Sequence, residues 1–154
     1  MALVAPFTST AFSQSSALVT PFTPTAFPQS SPSVAQGLLA LLEEDEPELQ
    51  QHALEQLYKI VDQHWAEVAN KVPLIEAISE DPKFAKRELA AAVASRCFFH
   101  LEEYNDALRL ALGAGPHFDV AAAPATRSPP ENQYVDTLVS KCIGMRRMRW
   151  EYSW

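Results

Sequence analysis

The stretch "DPKFAKRELAAAVASRCFFHLEEYNDALRLALGAGPHF", residues 81–118, decides the fold. Its middle, "ELAAAVASRCFFHL" (88–101), is apolar almost all round. A surface helix carries one apolar stripe; a helix apolar on every side is sandwiched between neighbours, as in stacked helix pairs. Asp81 before Pro82 reads as a helix start. A short acceptor side chain caps there, and a proline in the first turn lacks an amide that has no partner anyway. Gly113 and Gly115 read as the stop of a second helix. A helical hairpin with apolar inner faces follows.

Upstream, "SVAQGLLALLEEDEPELQQHALEQLYKIVDQHWAEVANKV" (33–72) predicts two further helices. Ser33 caps the first, whose apolar residues are Val34, Leu38, Leu39, Leu41 and Leu42. Asp45 caps the second, with Pro47 in its first turn. Leu49, Ala53, Leu57, Ile60, Val61, His64 and Val68 then recur at steps of three and four and mark one face. "VPLIEAISED" (72–81) is a short helix or turn. Downstream, "DVAAAPATRSPPENQ" (119–133) reads as a loop from its prolines and small residues. "YVDTLVSKCI" (134–143) restores the helical pattern, and the chain closes on "GMRRMRWEYSW" (144–154). No stretch carries a strand or hairpin pattern, so the class is all-α.

The first fifth is different. "ALVAPFTSTAFSQSS" (2–16) is followed at once by "ALVTPFTPTAFPQSS" (17–31), a 15-residue near-duplicate. Pro6, Pro21, Pro24, Pro28 and Pro32 remove amide donors and fix φ, which stops a helix or central strand. Phe7, Phe12, Phe22 and Phe27 repeat as aromatic points between Ser and Thr. The unit is too short for a solenoid repeat, which runs about 20 residues or more. Residues 1–33 therefore read as a disordered, duplicated leader, 34–143 as the helical body and 144–154 as a tail.

Composition narrows the function. The 154 residues suit one domain, and a net charge of -7 opposes general nucleic-acid binding. No apolar run reaches the roughly 18 residues of a membrane span. The start lacks the basic n-region of a secretory signal and the arginines of a transit peptide. Cys97 and Cys142 make no disulfide framework and read as reduced intracellular thiols.

Candidate chemistry is sparse. His52, His64, His100 and His117 form neither HExxH nor a zinc spacing with cysteine. Cys97 and His100 lie three apart on one helix face, without a third group to orient a nucleophile. Glu43, Glu44, Asp45, Glu46 and Glu48 lack calcium-loop spacing and suit a helix N-terminus. "GAG" (113–115) has no lysine and follows a helix, unlike a phosphate loop. Arg146, Arg147 and Arg149 with Met145, Met148 and Trp150 make a small basic-aromatic tail. No catalytic, cofactor or metal residue emerges, and the residues point to a protein-binding or scaffolding module.

Three collinear stretches sharpen this: "GLLALLEEDEPELQQHALEQLYKIVDQHWAEVANKVPLIEAISED", "FAKRELAAAVASRCFFHLEEYNDALRLALGAG" and "FDV…YVDTLVSKCI". Together, from about Val34 to Ile143, they resemble the N-terminal region of the largest non-ATPase subunit of the proteasome regulatory-particle base. That resemblance implies an α-solenoid rod of helical hairpins, normally followed by a toroid of repeats. It implies a non-catalytic scaffold for ubiquitin-dependent degradation that docks other regulatory-particle subunits in the cytoplasm and nucleus. No nucleic acid, membrane, small-molecule substrate or cofactor is implied. The leader has no counterpart in the family, "AAAPATRSPPENQ" looks longer than the family's loop, and the toroid is missing, so a shortened version is expected. Trp65, Phe98, Phe99 and Tyr104 are the candidate protein contacts. The rival reading is a free-standing adaptor similar to tetratricopeptide proteins, which fits the hairpin but not the collinear match outside it.

Overall fold

A computed structural model describes residues 32–151, with side chains from 32–146. The duplicated leader with its four phenylalanines lies outside the described residues. So do the side chains of Arg147, Met148, Arg149 and Trp150.

Six α-helices and two short 3-10 turns make up the described residues, which contain no strand. They are α1 (Val34–Leu42), α2 (Pro47–Ala69), α3 (Val72–Glu80), α4 (Arg87–His100), α5 (Tyr104–Gly113) and α6 (Pro129–Glu151). The fold is an all-α, solenoid-like succession of helices joined mostly by short loops. α1 packs on α2; α4 packs on α2, α3 and α5; α6 packs on α5.

α4 is the centre, as its composition requires. Nine consecutive residues, Leu89 to Cys97, are buried. Alanines at 90, 91, 92 and 94 let neighbouring helices approach on all sides. Around it, Leu39, Leu42, Leu54, Leu57, Val61, Val68, Val72 and Ile75 join Val93 and Cys97 in the main core. Each fully buried side chain of this size contributes roughly 1.5–3 kcal/mol.

Several boundaries differ from the sequence reading. Ser33 does cap α1, its Oγ accepting from the Gln36 amide at 3.2 Å. Asp45 does not cap α2. The cap position is Glu46, extended and without a side-chain bond, with Pro47 next. Gln50 closes the turn instead, its amide nitrogen donating to the carbonyls of Leu42 (3.2 Å) and Glu44 (2.7 Å). Asp81 does not open the central hairpin either. It ends α3, and its carboxylate accepts from the Lys83 amide, forming an Asx turn. α4 therefore starts only at Arg87. On α2, Leu54 joins the buried face, while Leu49 is 40% exposed. Val34 on α1 is also exposed. The segment 119–133 is a loop only in part, because α6 starts at Pro129 and runs through the expected Ile143–Gly144 junction without a break.

The α4–α5 connection is a Schellman turn. Glu103 N donates to Phe98 O (3.0 Å) and Glu102 N to Phe99 O (3.1 Å). Glu102 takes φ 63°, the left-handed conformation usually given to glycine. After α5, Gly115 takes φ 54° in the first 3-10 turn, with the Glu88 side chain against the place a Cβ would occupy.

Candidate protein-docking surface

The C-terminal turn of α4 meets the second half of α2 and the start of α6, and there most of the aromatic side chains among the described residues gather. Trp65 stacks on the His100 ring at 5.8 Å and 13°. His100 meets Phe99 edge-on at 5.3 Å. Phe99 in turn meets Tyr104 (6.1 Å) and Tyr134 (5.4 Å), and Tyr134 meets Phe118 (5.7 Å), all edge to face. Such pairs add about 0.5–1.5 kcal/mol each beyond area burial. The run is continuous from α2 to α6, and Trp65, Phe98, Phe99, His100 and Tyr104 are each half-buried. Phe98 is turned inward and packs against both main clusters. The Lys141 ammonium lies 4.7 Å over the Tyr104 ring. The four candidate contacts are thus brought into one neighbourhood, each also serving the packing of the hairpin.

Beneath the run lies a polar network that the sequence reading missed. Arg96, 5% exposed, sits in the middle of the apolar helix. Its guanidinium donates to Asp62 Oδ2 at 2.8 Å and to the Tyr58 hydroxyl at 3.3 Å, with Glu131 Oε1 at 3.5 Å. It lies over the Tyr58 ring (4.6 Å) and the Tyr134 ring (5.4 Å). Asp62 Oδ1 also pairs with His100 Nε2 at 3.1 Å. A buried cation must be paired or its desolvation is not offset. Arg96 therefore ties α2, α4 and α6 together. Its neighbour Ser95 donates to the Ala107 carbonyl at 2.5 Å and accepts from the Tyr134 hydroxyl at 2.7 Å, linking α5 and α6. Burial pushes the Tyr134 phenol up to about 12. A charged residue inside an apolar helix was the available sequence signal, but its partners lie 34 or more residues away.

The Cys97–His100 pair does not form a nucleophile and base. The Cys97 thiol is buried and donates to the Trp65 carbonyl at 3.4 Å. Burial pushes its pKa up to about 12, so the nucleophilic thiolate is disfavoured. His100 is committed to Asp62. His64 falls at a local break in α2 (φ −114°, ψ 20°), and its Nδ1 lies 3.2 Å from Glu67. Glu67 also accepts from the Ser33 hydroxyl, which fastens the start of α1 to the end of α2. The Ser33 hydrogen bond, and then His64, hold the Glu67 carboxyl below its usual range. Among the described residues no cluster of His, Cys, Asp and Glu could hold a metal ion, and no helix is long and apolar enough to cross a membrane.

Stacked helical hairpins, an internal polar network and a half-open aromatic run define a solenoid-like helical-hairpin protein. Residues 33–149 match the family described as 26S proteasome subunit RPN2, N-terminal domain, and the chain belongs to that family. It is 46% identical over 111 residues to the 26S proteasome non-ATPase regulatory subunit 1 homolog B of Arabidopsis thaliana, covering 71% of this chain and 10% of the relative. It is 44% identical over 111 residues to the 26S proteasome regulatory subunit rpn2 of Schizosaccharomyces pombe, covering 72% of this chain and 11% of the relative. To the 26S proteasome non-ATPase regulatory subunit 1 of Drosophila melanogaster it is 42% identical over 109 residues, 71% of this chain and 10% of the relative. The chain thus spans about a tenth of the length of the curated relatives it matches.

Proposed function

We propose that this chain is a non-catalytic docking rod that works with the proteasome regulatory-particle base, supporting ubiquitin-dependent degradation by contacting neighbouring subunits. The observation that carries the proposal is the family match over residues 33–149, which includes all six helices except the last two residues of α6. The relatives are named as proteasome regulatory subunits, two of them as non-ATPase subunits. Cys97 and His100, the pair that would suit an enzyme, are both engaged in structural bonds, which favours a binding role. A tetratricopeptide-like adaptor explains the α4–α5 hairpin but not the match over α1 to α3.

The partners in this reading are other regulatory-particle subunits, and the working compartments are the cytoplasm and nucleus. The net charge of -7 disfavours nucleic acid as a partner. The contact face is the aromatic run through Trp65, Phe98, Phe99 and Tyr104. A pull-down of the tagged chain from cells of its own source, at moderate salt, read by mass spectrometry, tests this. Stoichiometric recovery of regulatory-particle subunits is expected. Recovery of chaperones alone would overturn the proposal.

A further inference from the structure

The segment between α5 and α6 is held in shape although its only regular structure is two short 3-10 turns, Gly115–His117 and Pro124–Thr126. Asp119 Oδ1 accepts from the amides of Ala121 (2.8 Å) and Ala122 (3.1 Å). The Arg127 guanidinium donates to the Asp119 carbonyl, and Asn132 Nδ2 to the Pro124 carbonyl at 2.9 Å. These bonds present Ser128 at the start of α6, exposed, after an extended Arg127 (φ −99°, ψ 153°) and before Pro129 and Pro130. The first turn of α6 carries few backbone hydrogen bonds. Its two prolines bring no amides, and the first bond across it is Asn132 N to Ser128 O at 2.9 Å.

Ser128 also lines a cleft of about 590 Å³ with Tyr58, Lys59, Asp62, Gln63, Arg96, Pro130 and Glu131. The Arg96 Nε in this cleft is buried and has no hydrogen-bond partner among the described residues. Its terminal nitrogens already serve Asp62, Tyr58 and Glu131. Lys59 is exposed at the same cleft, and among the described residues its ammonium donates to Gln56 Oε1 at 3.5 Å.

We propose that Ser128 is a phosphorylation site for a proline-directed serine/threonine kinase. The γ-phosphoryl group of ATP passes to Ser128 Oγ, the hydroxyl proton goes to the kinase's base, and ADP leaves. The resulting dianion stands at the N-terminal end of α6, where negative charge is favoured, in a cleft that offers Lys59 and the spare Arg96 Nε–H against Asp62 and Glu131. Lys59 becomes its counter-ion, and Glu131, the more distant partner of Arg96, turns to solvent. This proposal does not depend on docking to the proteasome.

The test is incubation of the folded full chain, and of a peptide spanning residues 122–134, with a proline-directed kinase and Mg-ATP, followed by phosphopeptide mapping. Ser128 is expected to fill in both, and Pro129→Ala is expected to slow incorporation at least tenfold. No incorporation in the peptide overturns the proposal, as does incorporation in the peptide but not in the folded chain. The melting temperature of the phosphorylated chain is expected to hold or rise. A fall would mean that repulsion from Asp62 and Glu131 dominates, and would overturn the assignment of Lys59 as counter-ion.

Discussion

Arg96, buried and paired across three helices, is expected to contribute strongly to stability. Removing the guanidinium leaves Asp62 and His100 in a partly closed site and takes a cation from between two tyrosine rings. Arg96→Ala is expected to cost about 3 kcal/mol, the low end for breaking a buried pair because Asp62 keeps some water contact. Urea unfolding measures this, and a loss below about 1 kcal/mol would show that the network is not what joins α2 to α4 and α6. Titration gives a second check. Cys97 rises from its ordinary 9.0 to about 12 and Tyr134 from 10.0 to about 12, both chiefly through burial. The folded chain therefore holds both protons more tightly than the unfolded chain. Their contribution is complete below about pH 9 and is lost as pH climbs toward 12. Thermal melts stepped through that window are expected to show steadily falling stability. In thiol alkylation at neutral pH, Cys142, which is partly open, is expected to react well before Cys97.

At the scale of elements, two left-handed residues give opposite predictions. Glu102 occupies the position where a Schellman turn prefers glycine, so Glu102→Gly is expected to stabilise by about 1 kcal/mol. Gly115→Ala meets both an unfavourable φ and the Glu88 carboxylate at 2.9 Å, and is expected to cost about 1–2 kcal/mol. Chemical denaturation of the two variants side by side checks both signs. The elements themselves were legible where the apolar pattern was strong. "ELAAAVASRCFFHL" announced a helix covered on all sides, and α4 is that helix. The boundaries were less legible because one cap-like signal serves two uses. Asp81–Pro82 has the composition of a helix start, yet Asp81 closes α3 and hands its carboxylate to Lys83. Ser128–Pro129–Pro130 has the composition of a loop, yet prolines in the first turn cost a helix nothing, so α6 begins there. The aromatic candidates could be named from sequence, but Arg96, Asp62 and Glu131 could not be joined. Their association depends on helices brought together by the core, and no local spacing encodes it.

At the scale of the molecule, α4 unites the rod by covering α2, α3 and α5 at once, and the aromatic run crosses from α2 to α6 along its end. A surface that is half-buried and aromatic suits protein contact, since such rings supply area with little loss of side-chain freedom. In the proposed role this end of the rod meets another regulatory-particle subunit, a reading supported by the family match over residues 33–149. The most direct measurement is a binding titration of the purified chain against purified regulatory-particle base, repeated with Trp65→Ala after circular dichroism has verified its helicity. The account predicts saturable binding by the unmodified chain and an affinity at least tenfold weaker for Trp65→Ala. Absence of binding by the unmodified, folded chain would contradict it.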